Sequence, residues 1–497
     1  MIAKLSCGAP WLWKKSPALC LGLQFLLGIA FASTKDPFLI FIAILLLLPF
    51  VLQKMQARSW ICVLSCLLGA IYGHYHNGKV CNISEPINGY AVFSPSSVQL
   101  QRSHFHSSYV YKGELQYFSS DEGQTLTQLP CRLYAPSGSD RPLASSSYFL
   151  KGVLNRVDSH GADFVPEGAW QKVDNTYSFA EMRFKAKKAF QKFVNNELPN
   201  KKVASFLYAL CSGEVEDKMM SYEFSKLGLQ HILAVSGFHF ALIALFIGFI
   251  VKKILPEKAA LIFLIVSLSL YFFFLGNSPS VFRAWIAITL WALGRLLNKK
   301  TSGLNTLGVC LLTELLYSPG CIFHLGFQLS FLCTAAILLC TPITMKWMEG
   351  LFPKRSPNEL LKLPKPDRIG YLGCCFFRSA LAITIAVHIV SIPVCLYYFH
   401  TFPLLSLVYN LFFPLLTGLS MFSFMSASLL TFFLPPVSNL LNMVNIEFTS
   451  FLMELSSSPP QLLHYSINIS ILPFWLVLLY LILLLHLFSF FCCRAKS

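Results

Sequence analysis

The residues of this chain best suited to chemistry stand in the run Gln230–Ile243, QHILAVSGFHFALI, where Ser236, Gly237 and two histidines, His231 and His239, interrupt an apolar stretch. Glycine in a helix interior costs about 1 kcal/mol relative to alanine. An ionisable ring at membrane depth is expensive unless it faces a cavity or a partner. A plain anchor carries neither feature, so the run reads as a helix, whole or broken, with function on one face. The plainer alternative is a Ser-Gly packing notch beside a satisfied histidine. Ser236 and His239 are three apart and share a helical face, but no carboxylate stands near in sequence to orient the imidazole, so nucleophilic catalysis is weakly supported.

Three further constellations interrupt apolar runs. In NSPSVFRAW, Pro279 and Arg283 sit at the start of a span. Arginine at a helix centre costs roughly 2.5–3.5 kcal/mol on insertion scales, and near an end it can snorkel to the interface instead. In SPGCIFHLGFQLSF, Gln328 and Ser330 follow Pro319, Gly320 and Gly326; a buried amide needs partners, so Gln328 faces protein or water rather than lipid. In TIAVHIVSIPV, His388 and Pro393 share mid-span, an arrangement more often structural than functional. Together these groups suggest a polar path through a helix bundle. No Walker A motif is present, so any ATP is used by another protein. His104 and His106 resemble half of a metal motif with no Asp-His after them, and read as polar loop.

Membrane helices must position these residues. Of 497 residues 55% are hydrophobic and only 12% charged, which describes a polytopic membrane protein and excludes an ordinary soluble enzyme. The 16 cysteines show no paired CxxC pattern and mostly lie in apolar runs, so they read as small core residues, with no metal site. The net charge of +16 is in large part positive-inside charge and is weak evidence for a nucleic acid. No cleavable signal peptide is evident: the first apolar segment follows Lys4, Lys14 and Lys15, and a second comes almost at once.

Three apolar segments, roughly 18–33, 38–52 and 59–75, open the chain. Lys14, Lys15, Lys54 and Arg58 are cytoplasmic by the positive-inside rule, so the third segment ends outside. A polar insert follows, in which Tyr109–Phe118 and Tyr148–Val157 read as strands of a small extracytoplasmic β-rich domain. Its Cys81 and Cys131 form a disulfide or remain two free thiols; an oxidising compartment permits the first. Its acids slightly outnumber Lys plus Arg, so it has no net-basic composition for DNA.

Residues 179–198 form an amphipathic helix with Phe179, Met182, Ala186, Phe190 and Phe193 on one stripe and Arg183, Lys185, Lys187, Lys188 and Lys192 around it. It lies on the bilayer, touches a polyanion, or simply solvates a packed stripe. Residues 200–213 read as a short helix that does not span. Spans are expected at roughly 231–254, 259–275, 280–297, 303–320, 325–345, 378–399, 404–431, 437–455 and 471–491. Their parity puts Lys252-Lys253, Arg295 with Lys299 and Lys300, the basic loop 346–377, and Arg494 with Lys496 in the cytoplasm. The organisation is therefore N-terminal transmembrane helices (1–78), the outer domain (79–178), the basic helix (179–198), a membrane channel domain (199–455) and a C-terminal transmembrane helix (456–497). That makes about twelve transmembrane helices, with both termini cytoplasmic.

The stretches Leu227–Ile243, Ser278–Ala284, Ser318–Phe331 and Ala386–Leu416 resemble, in order and spacing over about 200–455, the membrane domain of the ComEC-type competence proteins, bacterial inner-membrane channels for transforming DNA. The resemblance implies an OB-like outer domain and import of single-stranded DNA across the cytoplasmic membrane, the complement being degraded outside. It implies transport rather than enzyme activity, and no cofactor. Ser236, Gly237, His239, Pro279, Arg283, Gln328 and Ser330 match the family's recurring motif positions and are expected to line or gate the DNA path. Arg283 would pair with phosphate, and His239 and Gln328 would donate hydrogen bonds to the strand. Phe238 and Phe240 would stack on bases or, more plainly, pack. The implied partners are single-stranded DNA, the lipid bilayer, and a separate DNA receptor, ATP-driven motor and nuclease; oligomeric state is not implied.

Three departures from the family pattern matter. Many members carry a metallo-β-lactamase-like domain after the membrane part; none follows the last span here and no HxHxDH occurs, so no nuclease activity is expected of this chain. The family's glycine-acid-arginine turn stands as Gly213-Glu214-Val215, which keeps Glu214 as a motif acid without the arginine. Phe238 and Phe240 replace smaller aliphatic residues. Three other readings remain open: a transporter of another solute, which broken helices and midplane polar groups would equally suit; an intramembrane hydrolase using Ser236 and His239; and a structural or assembly protein.

Overall fold

The computed structural model describes residues 16–52, 56–77, 86–102, 107–121, 123, 125–136, 141–158, 161–175, 178–457 and 465–494. Helices α1 (Pro17–Thr34), α2 (Pro37–Leu52) and α3 (Gln56–Asn77) come first, then strands β1 (Ile87–Arg102), β2 (Ser107–Ser120), β3 (Thr125–Pro136), β4 (Ser146–Asp158) and β5 (Gly161–Asn175). The helical part contains α4 (Phe179–Glu197), α5 (Lys201–Ser212), α6 (Lys218–Lys226), α7 (Gln230–Leu233), α8 (Gly237–Ile254), α9 (Glu257–Leu275), α10 (Pro279–Leu296) and α11 (Gly303–Tyr317). It continues with α12 (Leu325–Leu351), α13 (Pro357–Lys362), α14 (Lys365–Phe399), α15 (Leu405–Leu430), α16 (Pro435–Ser457) and α17 (Phe474–Arg494). The short strands β6 (Thr401–Pro403) and β7 (Ser466–Asn468) pair with each other.

Six helical segments among the described residues are long and apolar enough to cross a membrane: Pro17–Thr34, Gln230–Ile254, Glu257–Leu275, Leu325–Leu351, Lys365–Phe399 and Leu405–Leu430. Several expected elements differ. The 231–254 span is broken at Ala234–Ser236, between α7 and α8. The 346–377 stretch, read as a cytoplasmic loop, is mostly helix: α12 runs on to Leu351, α13 occupies Pro357–Lys362 and α14 begins at Lys365. Counting apolar residues stops where charge begins, but lysine, arginine and leucine are all good helix formers and carry a helix past the apolar core. The expected spans 38–52, 59–75, 280–297, 303–320, 437–455 and 471–491 fold as the helices α2, α3, α10, α11, α16 and α17 but are not among the six; along α16, Ser438, Asn442, Asn445, Thr449 and Ser456 form a buried polar stripe.

The chain divides into two units. The first comprises Met1–Tyr75, Leu293–Pro414 and Pro459–Ser497. In it α1 crosses α3 so closely that a Cβ on Gly28 would lie 2.0 Å from the Cys66 carbonyl oxygen, a small-residue contact of the kind that lets membrane helices approach. Helix α14 contains Pro393, whose missing N–H would orphan the carbonyl of Ile389. Tyr480 on α17 donates its hydroxyl to that oxygen at 3.0 Å, and His388 Nδ1 lies 2.8 Å from the Thr384 carbonyl. The Ile389 carbonyl and His388 Nδ1 thus both have partners within the helix packing.

The second unit comprises His76–Ala292 and Leu415–Ser458. Its five strands close a barrel in the order β1-β2-β3-β5-β4, antiparallel except for β3 with β5. Alternate residues point inward, so Phe93, Tyr111, Leu115, Phe118, Leu133, Leu150 and Phe164 fill the interior. Register shifts at Val92/Phe93 and Pro95/Ser97 bend β1 so that it pairs with both β2 and β4. The barrel continues into α4 through a buried acid: Glu181 pairs with Arg141 and accepts the Ala144 N–H at 3.0 Å. Ser178 caps α4 and donates its hydroxyl to the Pro95 carbonyl at 3.2 Å. Helix α5 is almost wholly buried, and twelve residues at about 1.5 Å each are too short to cross a bilayer, which agrees with its expected non-spanning character. His104 and His106 lie outside the described residues, as do Lys14, Lys15 and Lys54.

Candidate functional site

The second unit gathers five of the predicted site residues at the start of α8. Ser236 adopts an extended conformation (φ −92°, ψ 165°) that ends the α7 turn and caps α8. His239, at the third position of α8, fills the place of the acid in a capping box: its Nδ1 accepts the Ser236 N–H at 3.4 Å and lies 3.2 Å from Ser236 Oγ. With Nδ1 as acceptor, the neutral ring carries its proton on Nε2, an assignment made from this network. That Nε2 is buried and has no hydrogen-bond partner among the described residues, the whole ring being 1% exposed.

Helix α10 holds the break in place. Ser280 donates to the Val235 carbonyl at 3.0 Å, and Pro279 occupies the first helical position, where its fixed φ suits a helix start. Trp285 stacks on Phe272 with ring centroids 4.7 Å apart and donates Nε1–H to Ser269, which seats α10 on α9. Arg283, one turn into α10, lies directly over the first residue of α8: a Cβ on Gly237 would come within 3.0 Å of its Nη2. The glycine is therefore what lets the guanidinium reach the α8 N-terminus. The positive end of the α8 macrodipole favours an anion there, and a guanidinium adds a charge of the same sign.

The two phenylalanines separate. Phe240 is 0% exposed and packs on Tyr271, so it is core. Phe238 is 43% exposed, with one ring edge against Gly418 on α15. Gln328 and Ser330 belong to α12 in the first unit. There Gln328 donates Nε2–H to the Ile322 carbonyl at 2.9 Å, bracing the 3-10 turn Pro319–Phe323, and Tyr398 hydrogen-bonds the same side chain. Cys131 is a free thiol in the barrel core; Cys81, its expected partner, lies outside the described residues.

One partner escaped the sequence reading. Glu214 is held by Lys187 Nζ at 3.0 Å and by the Tyr208 hydroxyl at 3.1 Å, while Lys187 also donates to the Leu275 carbonyl at 3.0 Å. Lys187 had been placed among the charges decorating an amphipathic helix, but it is 3% exposed. Burial holds its ammonium below the ordinary lysine range, and the Glu214 charge offsets this only in part. Glu214 thus finds its cation on α4 and not at the next residue, Val215. The available signal was helical phase: Lys187 falls three and seven residues from Phe184 and Val194, on the face that α4 buries. Arg183 extends the same junction by donating Nε–H to the Phe273 carbonyl at 2.8 Å.

A serine hydrolase would need a carboxylate behind the histidine, and none pairs with His239 among the described residues. No group of three or more His, Cys, Asp or Glu side chains is placed to hold a metal ion among them either.

A family model described as Competence protein matches residues 211–492. The chain is 27% identical over 223 residues to ComE operon protein 3 of Bacillus subtilis (strain 168); the match covers 44% of this chain and 25% of that protein. The match thus spans about a quarter of the length of this curated relative. No solved structure matches the chain significantly.

Proposed function

The chain belongs to the competence protein family, and on that premise we propose that it forms a membrane channel passing single-stranded DNA inward during natural transformation. The observation that carries this reading is the Gly237 notch, which sets the Arg283 guanidinium against the N-terminus of α8 at a break in a membrane helix. Both features favour a phosphate, and neither reads a base, which suits uptake without sequence preference. Ser236, Gly237, His239, Pro279 and Arg283 form this polar break in our reading, and Gln328 and Ser330, within their own unit, are proposed as DNA-path residues. Glu214 acts indirectly, by fixing α4 against the loop before α10.

In this reading the twelve transmembrane helices are α1, α2, α3, α8, α9, α10, α11, α12, α14, α15, α16 and α17. The strand order 1-2-3-5-4 with one parallel pair supports an OB-like barrel, which faces the outside of the cytoplasmic membrane while both termini face the cytoplasm. The protein acts as a transporter rather than an enzyme, and a separate DNA receptor, ATP-driven motor and nuclease work with it.

The test is uptake of labelled double-stranded DNA into the cytoplasm of cells lacking the protein, or carrying wild type, Arg283→Ala or Gly237→Val. Loss of internal DNA in the deletion and both variants, with surface binding and protein level preserved, supports the channel and its phosphate site. Normal uptake by the deletion strain removes the function, and normal uptake by both variants removes the site.

A further inference from the structure

A second polar cluster lies in the same unit, where the end of α4 meets α15 and α16. Glu197, the last residue of α4, accepts hydrogen bonds from Thr431 Oγ1 at 3.1 Å and Asn442 Nδ2 at 3.2 Å, both on Oε2. Thr431 Oγ1 also lies 2.8 Å from Ser438 Oγ and 3.2 Å from the Ala427 carbonyl oxygen. Ser438 Oγ lies 2.8 Å from that same carbonyl. Ser438 and Asn442 are buried, and among the described residues Glu197 forms no ion pair.

The cluster is rich in oxygen and poor in hydrogen. Four oxygen–oxygen contacts link Glu197, Thr431, Ser438 and Ala427, yet the two hydroxyls bring one proton each. The Ala427 carbonyl already accepts the Thr431 N–H at 2.9 Å. Among the described residues Asn442 Oδ1 has no hydrogen-bond partner, although the residue is only 4% exposed. Which end of an amide faces its neighbour is assigned from its contacts. Turning the Asn442 amide over would bring its oxygen toward the carboxylate, an arrangement that holds only with a positive charge between them.

We propose that Glu197, Thr431, Ser438, Asn442 and the Ala427 carbonyl form a binding site for a monovalent cation, with sodium the ion that fits. One carboxylate neutralises a single positive charge, whereas a divalent ion would leave a net charge buried. Carboxylate, hydroxyl, amide and carbonyl oxygens are hard donors suited to a hard ion, and those of the cluster stand 2.8–3.2 Å from their neighbours, close enough for one small ion to touch several of them. The bound ion ties α4, which leads from the barrel, to the α15–α16 pair. Such a site would tie these helices together whatever the chain transports.

The test is the thermal unfolding midpoint of the purified full chain in detergent, at fixed pH and equal ionic strength in sodium, potassium or choline chloride. The expected result is a saturable rise in sodium over choline, smaller in potassium. Thr431→Val, which keeps the shape and removes the hydroxyl, should lose the sodium response, read as the difference between its own sodium and choline midpoints. Ser438→Ala provides the same comparison should Thr431→Val fold poorly. Equal midpoints in all three salts overturn the proposal, as does a sodium response that survives in Thr431→Val, Ser438→Ala and Asn442→Leu alike. A midpoint that follows pH and ignores sodium would make the cluster a proton site and overturn it too.

Discussion

Replacing Lys187 with methionine is expected to destabilise the protein by about 3–5 kcal/mol, because it leaves the Glu214 carboxylate buried without its cation. The magnitude follows from the surroundings. The two side chains are 4% and 11% exposed, so water cannot take over; the remaining hydrogen bond to Glu214, from the Tyr208 hydroxyl, is a single neutral one, and the nearby Lys112 ammonium acts on the carboxylate only through space. Burial also depresses the Lys187 pKa despite the pairing, so desolvation outweighs the Glu214 attraction. A pair of that kind contributes little net stability, and replacing both members is close to neutral. Lys187→Met with Glu214→Gln should therefore recover most of the loss and end within about 1–2 kcal/mol of wild type, since glutamine still accepts from Tyr208.

The assay is the thermal unfolding of the purified full chain for wild type, each single variant and the double variant. The pH dependence supplies a second reading. The folded pKa lies below the ordinary lysine value, so the unfolded chain binds more protons in the alkaline window between the two. Stability should rise with pH across that window, flatten above it, and lose this component in Lys187→Met. A single variant as stable as wild type, or a double variant whose loss equals the sum of the singles, would refute the reasoning.

Gly28→Ala should destabilise by about 1–3 kcal/mol, because its Cβ meets backbone rather than a movable side chain; an unchanged midpoint would show that α1 and α3 do not cross so closely. Phe240→Ala should cost about 3–5 kcal/mol and Phe238→Ala much less, given their burial, and equal losses in thermal unfolding would contradict the assignment of Phe240 alone to the core. Burial pushes the Cys131 thiol up to about 12, so it should resist alkylation at pH 8 in the folded protein and label after denaturation without reductant. Peptide mapping that finds Cys131 labelled only after reduction would show a disulfide instead.

The sequence alone determined the elements, because those depend on local periodicity. Apolar runs place most of the helices, and alternation places two of the five barrel strands, at 109–118 and 148–157, whereas the helical 346–377 stretch carried no such signal. Ser236 and Gly237 announced the break before α8, since neither favours a helix interior. The rest waited for the fold. Nothing in a local window shows that Lys187 serves Glu214, or that a hydroxyl on α17 takes up the carbonyl freed by Pro393. Nor does it show that Gly237 is small because Arg283 lies over it. His239, read as a strand-facing donor, proves to cap its own helix with one nitrogen while the other remains buried. A buried polar group must be satisfied by whatever the packing brings within about 3 Å. Only the tertiary structure decides which distant residues those are.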